Sequence, residues 1–164
     1  MKTLSAQEVL KNVEACITEL ENVDKSIFMS DRYHVSVKSW ATGEKNFSFK
    51  MDAVWDELNI FDCFKNNLTM SDLKVMRSFL KEAIKLGFNG YACFKVGASG
   101  CANGMWAHEL ESTDGFSPKG GKCLYRSFTP DYVCYDVDLG KGFTGKGFKT
   151  VRALERYINN TKEA

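Results

Sequence analysis

Proline, histidine and any surplus of charge are scarce in this chain. Two prolines, Pro118 and Pro130, occur in 164 residues, so no proline-rich linker divides it. Net charge is +1, which excludes the strong basic balance of a dedicated duplex-binding domain and the acidic surplus of a nucleic-acid mimic. No run approaches the roughly 18 apolar residues of a membrane span. The first residues, "MKTLSAQEVLKN", lack the apolar stretch of a signal peptide, and a cytoplasmic location with no membrane partner is the expectation.

Histidines number two and cysteines six, with no C-x-x-C pair among them. Zinc-site spacing is therefore missing, and neither a metal nor a cofactor is expected. Cys16, Cys93 and Cys134 fall among apolar neighbours and read as small core residues. What the chain does have is apolar mass: 44% apolar residues with 12 Phe, 6 Tyr and 3 Trp. That is enough for the core of one domain spanning 1–164, with a weak subdivision conceivable near 68–71.

Local patterns set the element order. Ser5-Ala-Gln-Glu8 is a capping box, and Val9, Val13, Cys16, Ile17 and Leu20 recur at helical spacing behind it, predicting a helix over about 6–22. "YHVSVKSW" and "NFSFKM" alternate with period two around a glycine-bearing turn and predict a hairpin. "DAVWDELNIFDCF" reads as a short helix started by Asp52. Ser71 is the expected cap of a second long helix ended by Gly87. "YACFKV", "MWAHEL", "CLYRSF" and "YVCYDVDL" are strand-like, and Thr150 caps a last helix, "VRALERYINN". Strands and helices do not alternate, which disfavours a doubly wound parallel sheet. The expected fold is α+β: an antiparallel sheet of about five to six strands with helices packed on one face, and an N-terminal and a C-terminal helix flanking it.

"LGKGFTGKGFKT", residues 139–150, states Gly-Lys-Gly-Phe twice. From Gly140 it spells G-x-x-x-x-G-K, but Gly147 stands where a phosphate loop needs the Ser or Thr that holds magnesium. Too little chain follows Thr150 for a parallel nucleotide-binding sheet. A contact surface is the better reading: Lys141, Lys146, Lys149 and Arg152 supply charge, and Phe143 and Phe148 supply rings that stack on bases. Lys119, Lys122 and Arg126 add to it, and Trp106 belongs to an aromatic excess with Trp40, Phe116, Tyr125, Phe128 and Tyr132. Solvated lysines on a hairpin tip and phenylalanines in the core account for the same residues without function.

Cys101, flanked by glycines in "VGASGCANGMWAH", has His108 seven residues on, with Asn103 or Asp114 to orient the imidazole. That pair is the one candidate for nucleophilic catalysis. Asp131, Asp136 and Asp138 are acids of a strand region, the last two sharing one face, and an exposed edge hairpin explains them.

The leading expectation is a binding protein whose partner is a protein or nucleoprotein. Its general character, and no single residue, suits an accessory protein of a phage or mobile element that inhibits a host defence complex. The alternatives are a nucleic-acid-binding module built on the basic Gly/Phe-rich hairpin and a cysteine-dependent hydrolase using Cys101 and His108. A small-molecule ligand is not indicated.

Overall fold

The computed structural model describes residues 4–22, 28–29, 33–38, 45–49, 56–63, 68–96, 103–111, 121–128 and 133–163. Asp52, Trp40, Cys101, Asp114, Phe116, Lys119, Asp131 and Tyr132 lie outside them. The described elements are α1 (Ala6–Glu21), β1 (Phe28–Met29), β2 (Tyr33–Lys38), β3 (Lys45–Phe49), β4 (Ile60–Cys63), β5 (Leu68–Thr69), α2 (Met70–Lys85), β6 (Tyr91–Val96), β7 (Gly104–His108), β8 (Cys123–Arg126), β9 (Tyr135–Asp138) and α3 (Val151–Glu163). The fold is α+β, with helices at both ends of the chain.

Local chemistry sets the helix ends. The Ser5 hydroxyl accepts the Glu8 N–H at 3.1 Å and starts α1. The cap of α2 is Thr69 instead of Ser71: Thr69 Oγ1 accepts from Asp72 N, and the Asp72 carboxylate accepts from Thr69 N. This reciprocal box satisfies two otherwise orphaned donors, so the helix begins two residues earlier than the serine suggests. At its other end Phe88 N donates to Ala83 O and Gly87 N to Ile84 O, with Gly87 at φ +95°, which is a Schellman stop. Thr150 Oγ1 accepts from Ala153 N and opens α3 as expected.

The strands form two sheets. One has the order β1-β2-β3-β5 and is antiparallel throughout, including the expected β2–β3 hairpin. The other has the order β4-β6-β7-β8-β9, antiparallel except that β4 runs parallel to β6. The segment read as one short helix is therefore a helical turn at 56–58 followed by a strand at 60–63. Asn59 makes the break: it takes φ +51°, its Nδ2 donates to Ala92 O at 2.8 Å, and its carbonyl accepts from Phe94 N. Asparagine tolerates this left-handed conformation better than other residues with a side chain, apart from aspartate. Its seat is set by β6, a partner far along the chain.

One face of the five-stranded sheet is apolar. Ala92, Phe94, Met105, Ala107, Leu124 and Val137 are all fully buried and belong to one core with α1, α2 and α3. α1 packs on α2, and the sheet meets α1 at β6, α2 at β7 and α3 at β9. The opposite face carries the polar and aromatic residues from which a site can be built.

Candidate functional site

The pairing register arranges that outer face in two rows. Tyr91, His108, Cys123 and Asp138 are successive cross-strand partners, and so are Cys93, Trp106, Tyr125 and Asp136. Side chains on one face of paired strands stand close enough to touch. Both rows end on β9 in an aspartate, and the Gly-Lys-Gly-Phe repeat begins two residues after the second of them.

Each copy of the repeat closes on one of these carboxylates. Gly140 N and Gly142 N donate to Asp138 Oδ1 at 2.8 and 3.0 Å. Thr144 N, the Thr144 hydroxyl and Val137 N donate to Asp136 Oδ1, and Gly145 N donates to Asp136 Oδ2. Phe143 then bridges back to Asp138 and Phe148 to Tyr135, each in antiparallel sense. Gly140, Gly142, Gly145 and Gly147 all have positive φ, from +67° to +111°, a region that penalises any other residue. Both copies are thus tied to a carboxylate of β9 by different patterns, the first through Gly140 N and Gly142 N and the second through Gly145 N and the preceding Thr144.

This settles the phosphate-loop resemblance in structural terms. A phosphate loop offers its backbone N–H groups to the ligand. Here the N–H groups of Gly140, Gly142, Thr144 and Gly145 face the protein's own carboxylates. Burial pushes the Asp136 pKa up, but the Thr144 hydroxyl and the N–H groups of Gly145, Val137 and Thr144 outweigh it, so the group ionises more readily than an ordinary aspartate. Asp136 and Asp138 do share a face, as the alternation implied. They are half-buried and hold the loop, and the loop covers the edge of β9.

Beside the loop lies an open groove of about 560 Å³, lined by Trp106, Tyr125, Cys134, Asp136, Phe143, Gly145, Lys146 and Gly147. Its wall is aromatic. The Trp106 and Tyr125 rings are 5.3 Å apart between centroids, and Phe143 meets Tyr125 edge-on at 6.3 Å. Gly104 makes room for the first pair, since a methyl group there would overlap the Tyr125 ring. The Tyr125 hydroxyl donates to Asn103 O at 3.0 Å and fixes the ring. Phe143 is 47% exposed, an apolar ring held in water by a backbone bridge. Cys134, expected in the core, is half-buried and lines this groove.

The expected contact residues do not share one place. Lys141, Phe143, Lys146, Lys149 and Arg152 lie on the loop or the first turn of α3, and of these Phe143 and Lys146 line the groove with Trp106. Lys146 Nζ stands 4.8 Å from the centroid of the Tyr157 ring. Phe148 turns inward, packing on the core and on Tyr157 at 5.3 Å. Arg126 belongs to the helical side, its guanidinium 5.5 Å from the centre of the Tyr135 ring. There the Tyr135 hydroxyl donates to Glu82 at 2.9 Å, and burial holds the Glu82 pKa up against that bond and the Arg126 charge. Lys122 lies at another hollow, of about 260 Å³, with Glu109, Leu139 and Ile158.

Cys101, the partner that spacing suggested, lies outside the described residues; within them His108 meets Cys123. Its Nε2 lies 3.8 Å from the Cys123 sulfur, and both residues are buried, at 9% and 5% exposure. Burial lowers the His108 pKa to about 4, with the Asp138 charge working against it. Burial also pushes the Cys123 thiol up to about 12, helped by Asp138 and opposed by a backbone bond from Ala107. Near neutral pH the pair is thiol and neutral imidazole, the opposite of the thiolate a cysteine nucleophile requires. Among the described residues no group of three or more His, Cys, Asp and Glu side chains is placed to hold a metal ion. No helix of the described residues is long and apolar enough to cross a membrane.

What sequence reasoning missed is the pairing of each glycine turn with an acid on the preceding strand. The signal was present as D-x-D followed at once by the duplicated turn. No family model, curated protein or solved structure matches the chain, so its own chemistry carries the functional reading.

Proposed function

We propose that the protein acts by binding, and that a protein or nucleoprotein partner docks in the aromatic groove on the outer face of the five-stranded sheet. One observation carries this reading. The groove gathers Trp106, Tyr125 and a solvent-exposed Phe143 beside Lys146 of the second repeat, on a loop that internal carboxylates hold in place. A fixed loop that presents an apolar ring with cations around it has its contact geometry set before the partner arrives, which lowers the entropic cost of association. Aromatic residues in such a setting contribute much of the energy of protein interfaces. Turnover has less support, because the Cys–His pair on the same face is buried and neutral.

The test compares the full chain with the double variant Phe143→Ala/Lys146→Glu as immobilised bait, in extract from the source cells, with and without nuclease treatment. A partner retained by the parent and lost by the folded variant is the expected result. A partner retained equally by both places the contact surface elsewhere and overturns the reading.

A further inference from the structure

Building on the reading that the groove is the contact surface, we infer that its occupant is single-stranded nucleic acid, with a base stacked against Phe143 and neighbouring phosphates met by the lysines of the Gly-Lys-Gly-Phe repeats. Charge complementarity is the first argument. The acids of this region are outnumbered: between 136 and 156, Asp136, Asp138 and Glu155 stand against Lys141, Lys146, Lys149, Arg152 and Arg156, and internal donors already occupy the two aspartates, four at Asp136 and two at Asp138. Lys146 meets the face of the Tyr157 ring, a contact that leaves its charge unneutralised. Among the described residues no carboxylate pairs with Lys141, Lys146, Lys149 or Arg152, and all four are exposed. α3 adds to the imbalance, because its first turn contains no acid and carries Arg152. Helix N-termini ordinarily take negative charge, so cations here oppose the dipole and leave an anion-seeking surface.

Shape is the second argument. The run Trp106–Tyr125–Phe143 offers ring surface along an open groove, and its outermost member has no polar atom to satisfy. Unpaired bases stack on such rings irrespective of sequence, whereas a duplex keeps its bases inside. A net charge of +1 gives no track for a long duplex, and a footprint of a few nucleotides needs only the cations present. A peptide entering as an added strand would need a free edge beside the groove. The edge of β9 is closed by the bridges at Phe143 and Phe148. An acidic peptide would use the lysines and leave the rings idle, which makes it distinguishable.

Fluorescence anisotropy on the full chain decides the matter, with labelled oligothymidylate and oligouridylate of about ten nucleotides, a duplex of equal length, and polyglutamate, each from about 50 to 200 mM salt. The inference expects single strands to bind in preference to duplex and polyglutamate. Phe143→Ala weakens that binding about tenfold at every salt concentration without altering the slope. Lys141→Gln and Lys146→Gln each flatten the slope of log K against log salt by about 0.7. Each variant must keep the parental denaturant midpoint, as substitutions of exposed residues should.

Equal binding of polyglutamate, indifferent to Phe143→Ala, overturns the inference in favour of an acidic protein partner and leaves the groove reading intact. Absence of oligonucleotide binding, with groove-dependent and nuclease-resistant capture in extract, has the same consequence. Oligonucleotide binding that ignores all three substitutions overturns the inference and the groove reading together.

Discussion

The two faces of the five-stranded sheet are made by the same strands and have opposite chemistry. Toward the helices stand Ala92, Phe94, Met105, Ala107, Leu124 and Val137, apolar and fully buried. Away from them stand Trp106, His108, Cys123, Tyr125, Asp136 and Asp138, which carry rings, thiol, imidazole and carboxylates. Strand alternation separates the two sets at single-residue resolution, so adjacent positions serve different ends. The helical face supplies stability through burial. The outer face spends carboxylate hydrogen bonds on fixing a loop, and holds Trp106 and Tyr125 half-buried and Phe143 exposed.

The most disruptive test of that division is Leu124→Ala. Leu124 lies between Ala107 and Val137 on the helical face with no solvent exposure. Removing it should cost about 2–5 kcal/mol in denaturant unfolding, while binding per folded molecule stays the same. The next effect appears in the pH dependence of stability. His108 has a folded pKa of about 4 against an ordinary value of 6.5, so between these values the unfolded chain takes up more protons. Stability contributed by the neutral imidazole is present above pH 6.5 and is lost as pH falls toward 4, by up to roughly 3 kcal/mol. His108→Gln should flatten that limb of the stability profile.

Smaller effects are expected in the loop. Asp136→Asn removes the charge that four donors converge on, and should cost about 1–3 kcal/mol and speed amide exchange at Thr144 and Gly145. Gly145→Ala meets open space but must hold φ +72°, so a loss of about 1–2 kcal/mol is expected, with no clash to relieve. Phe143→Ala should change stability by less than about 0.5 kcal/mol.

Much of this was legible in the sequence where the determinants are local. Ser5, Gly87 and Thr150 mark helix ends through neighbours within a few residues, and the β2–β3 hairpin follows from alternation around a turn. Thr69 could have been read as well, since Thr-Met-Ser-Asp is a capping box that the adjacent serine obscured. β4 was hidden for a different reason. Its pairing with β6 depends on Asn59 binding Ala92, 33 residues away, and nothing within the segment itself announces a strand. The candidate site was half legible. Glycine spacing and lysines marked the loop, but Arg126 and Phe148 could be assigned to a face only once the register was known. The contact of His108 with Cys123 across the sheet likewise needed the register, while Cys101, which spacing had suggested, lies outside the described residues.

The central claim is that the outer groove can lose its contact residues without loss of fold. Parallel measurement of denaturant midpoint and partner capture for Phe143→Ala/Lys146→Glu tests it directly. The account predicts a midpoint within about 0.5 kcal/mol of the parent and loss of capture. A variant that captures its partner undiminished, or that loses stability on the scale of Leu124→Ala, would contradict it.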